Sequence, residues 1–238
     1  MADFLLVHGA AHGAWCWRDI VPALTKLGHS VRTIDLPGHG GDLTPIDAIT
    51  LDAYADAILG AIDTPVILVG HSMGGYPISL AADRMPSKIR RLIYLCAFFP
   101  DGDLTLAQRR KATTNQELLP VAIMSEDGKS FRFDPAKSRD MFYHDCPEGT
   151  TAYANARLCA QSMQPYTTPC LLGPAYRSVP RSYIRCVHDR VVPLDSQLSM
   201  TSDWPAGDVH ELQTGHSPFF ADPDGLANLL DHIAAQDG

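Results

Sequence analysis

The stretch Gly70-His71-Ser72-Met73-Gly74 has the residue types and spacing to carry a nucleophile. Val66-Ile67-Leu68-Val69 reads as a buried strand leading into it, and residues 77–83 read as a helix leading out. Strand, sharp turn and helix is the setting in which a G-x-S-x-G serine is held out for reaction. Gly70 and Gly74 let strand and helix approach where a side chain would collide, and the turn strains the backbone at Ser72. A serine hydroxyl is a weak nucleophile near neutrality, so it needs a base, and the base needs an orienting partner. His216 follows the last predicted strand (residues 208–212) and precedes a C-terminal helix (residues 223–235). Asp189 lies just past the predicted strand 181–187, at the strand end where open parallel sheets bind ligands. Ser72, Asp189 and His216 can thus supply nucleophile, orienting acid and base for acyl transfer. Asp35, Asp195 and Asp203 compete with Asp189. Asp35 suits a loop-bonding role, Asp195 the cap of the next helix, and Asp203 falls near that helix's far end. His71 adjoins the serine, so its ring is expected to point away from it. Gly215 is expected to free the backbone to turn the His216 imidazole toward the sheet.

These residues need a scaffold, and the hydrophobic pattern supplies one. Residues 4–7 read as a first strand running into His8-Gly9-Ala10, a loop whose small residues can aim backbone N–H groups at a ligand. The N–H groups of Ala10 and Met73 are the expected oxyanion donors. Residues 15–27 read as a helix ended by Gly28, residues 30–36 as a strand, 51–62 as a helix and 89–95 as a strand. This alternation predicts an α/β fold with a mostly parallel sheet covered by helices on both faces. Between about residues 104 and 166 the alternation stops. Helical pieces at 104–119 and 147–163 flank a predicted hairpin at 124–133, and together they read as a lid inserted into a single domain of residues 1–238. The apolar lid residues Leu118, Leu119, Val121, Met124, Phe131, Phe133, Met141, Phe142 and Tyr143 could line an acyl or aromatic pocket, though each singly suits the lid's own core; the pocket candidates are Phe98, Leu118, Met124, Phe131 and Tyr143.

The chain has 238 residues, 45% hydrophobic and 19% charged, which suits one globular domain. Its net charge of −8 offers no basic excess for nucleic acid, and no apolar run reaches membrane-spanning length. The six cysteines are scattered without a C-x-x-C pair, and no histidine–carboxylate cluster has metal-ligand spacing, so neither a disulfide frame, a metal nor a cofactor is expected. No secretory n-region opens the chain, and the expected location is the cytoplasm.

The order Ser72…Asp189…His216 is that of α/β-hydrolases. The motifs His8-Gly9-Ala10-x-His12-Gly13-Ala14-Trp15-x-Trp17, Gly28-His29-x-Val31, Asp35-Leu36, Gly70-His71-Ser72-x-Gly74-Gly75 and Gly215-His216-Ser217 resemble the methyl esterase and hydroxynitrile lyase group of that superfamily. The resemblance covers nearly the whole chain and is weakest in the lid. It implies an α/β-hydrolase fold, a compact cap over an enclosed apolar pocket, and hydrolysis of small or aromatic carboxylic esters, methyl esters among them. A small-molecule ester is the implied partner, and a homodimer remains open as the assembly. The loop Leu36-Pro37-Gly38-His39-Gly40 is closer to the wider superfamily than to the Ala-Ala-Ser-Gly run of plant esterases. The rival activities are cyanohydrin cleavage and non-catalytic ligand reception. In the lyases of this group a threonine, a lysine and a glutamate stand where this chain has Gly9, Ser217 and His71, and all three differences favour ester chemistry.

Overall fold

The computed structural model describes residues 1–113 and 121–236. Among these, nine strands run in chain order: β1 (Asp3–Val7), β2 (Ser30–Ile34), β3 (Val66–His71), β4 (Ile89–Leu95), β5 (Ala122–Met124), β6 (Ser130–Phe133), β7 (Gln161–Ser162), β8 (Arg181–Cys186) and β9 (Val209–Leu212). Six of them form one parallel sheet in the order β2-β1-β3-β4-β8-β9. Phe4 to Val7 of β1 and Val66 to Val69 of β3 are fully buried, as the two covered faces of a parallel sheet require. Helices Ile20–Lys26, Leu51–Gly60, Gly75–Arg84 and Pro223–Ala235 supply much of that cover, with Leu24, Ile58, Ile78 and Leu230 all fully buried. Among the described residues no helix is long and apolar enough to cross a membrane.

The sheet fixes where a site can form. From β1 the chain steps outward to β2, then crosses back to β3 and proceeds the other way through β4, β8 and β9. The reversal lies between β1 and β3, and a crevice opens at their C-terminal ends. The loops after these two strands carry Ala10 and Ser72.

Several local expectations are revised. The helix expected at 15–27 is two pieces, a 3₁₀ turn at Ala14–Trp17 and an α-helix at Ile20–Lys26. Pro22 has no N–H and cannot sit inside a helix already begun at residue 15, but it fits the first turn of one begun at Ile20. Between β4 and β8, the helix expected at 104–119 is seen as Leu106–Lys111, opened by a Thr105–Gln108 capping box. The hairpin forms from β5 and β6 in antiparallel register. The helix expected at 147–163 spans only Thr150–Asn155; beyond it Gln161 and Ser162 join β6 as the short antiparallel strand β7. Beyond the helix the Cys159 N–H bonds to the Ala11 carbonyl at 3.0 Å, outside any helical ladder.

Candidate active site

Ser72 sits at the junction of β3 and the helix Gly75–Arg84, in a 3₁₀ turn at Ser72–Gly74. Its φ of 54° is left-handed, a strained state for a non-glycine residue. The neighbouring glycines are required by contact. A Cβ on Gly70 would lie 2.8 Å from the Gly74 carbonyl oxygen, one on Gly74 2.8 Å from that of His8, and one on Gly75 2.0 Å from that of Phe98. A 3.2 Å bond from the Phe98 N–H to the Ser72 carbonyl ties the turn to the end of β4.

His216 and Asp189 follow β9 and β8 and meet in the interior. His216 Nδ1 donates to Asp189 Oδ2 at 2.7 Å, while Asp189 Oδ1 accepts from the N–H groups of Val191 (2.7 Å) and Val192 (2.9 Å). The carboxylate is thereby fixed, and with Nδ1 occupied the imidazole keeps Nε2 as its free acceptor. Asp195 lies in the first turn of the helix Leu194–Met200 but its side chain does not cap it. Asp203 lines a separate groove beside Trp204. Asp35 bonds the loops, accepting from Ala14 N–H at 2.6 Å and Gly41 N–H at 2.9 Å. Gly215 does not have the left-handed backbone that its expected turning role implied; a Cβ there would lie 2.7 Å from both Asp145 Oδ1 and His144 Nε2.

The loop after β1 is held from three directions. His12 Nδ1 donates to the Ala10 carbonyl at 2.8 Å, and its Nε2 accepts from the Tyr143 hydroxyl at 2.8 Å. Ala11 has a φ of 58°; its N–H donates to Gln161 Oε1 at 3.1 Å and its carbonyl accepts from Cys159 N–H. The Ala10–Ala11 peptide is thus pinned at both its oxygen and its nitrogen. The Ala10 N–H makes no hydrogen bond among the described residues and lies at the cavity that Ser72 and Met73 also line. Burial pushes the His12 imidazole down to about 4, so it is neutral near pH 7 and its two nitrogens have fixed roles.

His71 lies at the site, beside His216. Its ring packs 4.6 Å from that of His216 and its Nε2 donates to the His216 carbonyl at 2.8 Å. Nδ1 then carries the lone pair and has no partner among the described residues. Burial, followed by the neighbouring His216, holds His71 well below the ordinary imidazole range. A Cβ on Gly9 would stand 2.8 Å from this Nδ1, so the missing side chain at position 9 is what accommodates the imidazole at 71. His71, Cys96 and His216 are the one group among the described residues whose metal-ligand atoms lie within 4.8 Å of one another. Burial raises the Cys96 thiol far above its ordinary value, which makes it a poor ligand, and His216 Nδ1 is already bonded to Asp189.

Ser72 and His216 line one small cavity together with Ala10 and Met73. Its apolar wall is Phe98, Leu106, Phe133, Phe142 and Val191, and His12, His71, Arg110 and Tyr166 complete it. The pocket candidates divide accordingly. Phe98 lines the cavity, and Leu118 lies outside the described residues. Met124 is 49% exposed on the outer face of the hairpin. Phe131 is buried behind the lining, edge-on to Tyr166 at 5.4 Å. Tyr143 is spent on His12. Gln161, Arg110 and Tyr166 carry no local sequence signal; only the pairing of β7 with β6 and the placing of two short helices bring them to the site.

Residues 4–229 match the family described as the alpha/beta hydrolase family. Methylesterase 7 of Arabidopsis thaliana is 35% identical over 97% of this chain and 95% of its own length, and Methylesterase 3 of the same plant is 32% identical over the same shares. Among solved structures, a pyrethroid hydrolase from Sphingobium faniae superposes with a TM-score of 0.88 at 28% identity, covering 98% of this chain and 97% of that one. A variant of polyneuridine aldehyde esterase gives a TM-score of 0.88 at 25% identity, covering 98% and 99%.

Proposed function

The chain belongs to the alpha/beta hydrolase family, and we propose that Ser72 is the nucleophile of its carboxylic ester hydrolase activity, with His216 as general base and Asp189 as the orienting acid. One observation carries the reading. The loops after β1, β3, β8 and β9 bring an unpaired N–H, a strained serine, a fixed carboxylate and an imidazole with a free Nε2 to one end of the sheet.

The reaction follows from that placement. Ser72 Oγ attacks the ester carbonyl carbon as His216 Nε2 takes its proton; the two make no hydrogen bond among the described residues, and the contact forms once substrate fills the cavity. The negative charge formed on the carbonyl oxygen is received by the N–H groups of Ala10 and Met73. Asp189 stabilises the imidazolium without taking its proton. As the tetrahedral species collapses, His216 returns the proton to the departing alcohol and the acyl group stays on Ser72. Water then attacks the acyl-enzyme, His216 takes its proton and gives it back to Ser72, and the carboxylic acid leaves. The segment 104–166 acts as the cap, because it supplies Leu106, Phe133, Phe142 and Tyr166 to the wall facing Ser72. The methylesterase relatives and the tight cavity together support a small alkyl group, methyl above all, on the alcohol side. All six cysteines are free thiols, which supports a reducing compartment such as the cytoplasm.

The test is release of p-nitrophenol and of methanol from acetyl, butyryl and aromatic esters by wild type, Ser72→Ala, His216→Ala and Asp189→Asn. Wild type should hydrolyse them, and each variant should lose about three orders of magnitude or more in kcat while staying folded. Near-wild-type turnover by Asp189→Asn would remove Asp189 from the role.

A further inference from the structure

Arg110 is the one residue with a fixed charge in the wall of the cavity, where the histidines His12 and His71 are kept neutral by burial. It projects from the helix Leu106–Lys111 and is half-buried. Its neighbour Arg109 is paired with Asp101 at 3.2 Å. Among the described residues the Arg110 guanidinium has no acidic partner and no carboxylate lines the cavity. Beside it stands Tyr166, on the helix Gln164–Thr167, 9% exposed and with no hydrogen bond to its hydroxyl among the described residues. Burial disfavours the Arg110 cation more than its neighbour Tyr166 offsets, and no carboxylate partner among the described residues compensates it. A guanidinium and a phenol on the wall of one apolar cavity, neither with a hydrogen-bond partner among the described residues, supply donors for a carboxylate.

We propose that Arg110 and Tyr166 form an anion subsite, and that the preferred substrate is an ester whose acyl part carries a second, free carboxylate. The inference rests on the ester hydrolase reading above: with a small alkyl group as the alcohol, only the acyl chain can reach the subsite with a charge. Ser72 reacts at the ester carbonyl, Arg110 and Tyr166 hold the distal carboxylate, and Phe98, Phe133 and Phe142 cover the methylene chain between them. The arrangement also sets an orientation, since turning such a substrate end for end would put a carboxylate against Ser72 and the ester against Arg110.

The experiment compares monomethyl esters of the dicarboxylic acids from malonic to adipic with the matching dimethyl esters. For the best chain length, wild type should favour the monoanion by about tenfold or more in kcat/KM, the range of a charge-assisted contact. Arg110→Gln should cut that ratio about tenfold, mainly through KM, while Arg110→Lys keeps part of it and Tyr166→Phe lowers it by a smaller factor. Binding of the same monoester to Ser72→Ala by calorimetry supplies a readout without turnover, and it should be lost in Ser72→Ala combined with Arg110→Gln. A wild type that hydrolyses both ester series with no preference for the anion, or a preference that survives Arg110→Gln, overturns the subsite and leaves the hydrolase reading intact. Arg110-dependent binding with no hydrolysis of either series sinks the hydrolase reading and keeps the subsite. Since the wild-type ratio and the lysine variant each bear on the proposal, it does not depend on the folding of Arg110→Gln.

Discussion

Replacing Gln161 by leucine should damage catalysis from a position that does not line the cavity. Gln161 is fully buried on β7. Its Oε1 accepts from Ala11 N–H at 3.1 Å and from His39 Nε2 at 3.0 Å, while its Nε2 donates to the Tyr54 hydroxyl and the Ser162 carbonyl, both at 3.1 Å. Leucine fills similar space but leaves these groups without partners. A buried polar group stranded in this way costs about 1–3 kcal/mol, and four that share one centre do not add fully, so about 3–5 kcal/mol of stability should be lost. The catalytic effect has a separate origin. Ala11 sits at φ 58°, a conformation that costs an alanine about 1–2 kcal/mol and persists because Gln161 and Cys159 hold its N–H and carbonyl. Released from Gln161, Ala11 can leave its left-handed conformation, and the accompanying shift of Ala10 moves its N–H, on the Gly9–Ala10 peptide, off the proposed oxyanion position. Full loss of one such donor costs about 10²–10³ in kcat. With His12 and Cys159 still attached, about 10- to 100-fold is expected, with KM changed much less. Urea unfolding and steady-state kinetics on p-nitrophenyl acetate measure the two effects separately. A variant that is destabilised yet keeps kcat within about threefold would show that Gln161 is core packing and does not position the oxyanion loop.

Three further outcomes follow from the same contacts. His8, His12, His39 and His71 are all held below the ordinary imidazole range, burial being the first cause in each, with His12 at about 4 against an ordinary 6.5. Unfolded, they bind protons that the folded chain refuses, so stability is full above pH 6.5 and falls with pH by about 1.4 kcal/mol per unit for each such histidine. For His12 alone that is about 3 kcal/mol by pH 4, and a urea midpoint flat from pH 7 to 4.5 would contradict it. Gly75→Ala should fail to fold stably although alanine is the better helix former by about 1 kcal/mol, because its Cβ would lie 2.0 Å from the Phe98 carbonyl oxygen; an unchanged melting temperature would refute the contact. Phe133→Ala should alter kcat/KM across an acyl-length series, whereas Phe131→Ala should chiefly lower stability; the reverse pattern would mean that the wall of the cavity is wrongly assigned.

Much of the sheet was legible because its signals are local. Runs such as Val66-Ile67-Leu68-Val69, ended by glycine or proline, mark strands by themselves, and the serine turn needs only its own glycines. Asp189 and His216 could be placed because each directly follows a strand. The lid resisted for the opposite reason. Gln161 belongs to a two-residue strand defined by pairing with Phe131, a contact thirty positions away that periodicity cannot register. Phe131 and Phe133 share one face of β6, and only the packing of Tyr166 decides which of them meets the cavity. The place of the His71 ring beside His216 was not legible, because it depends on the empty position at Gly9 that makes room for it. Pro22 was a readable signal, and it alone marks where the second helical turn must begin.

In the proposed reaction an acyl group passes through Ser72 under the control of His216. The most direct measurement is peptide mass analysis of wild type and His216→Ala, acid-quenched within a turnover of p-nitrophenyl acetate. Wild type should carry one acetyl group, on the peptide holding Ser72, in proportion to a burst of p-nitrophenol, and His216→Ala should carry almost none on that time scale. Acetylation of another residue, or steady hydrolysis that persists in Ser72→Ala, would contradict the account.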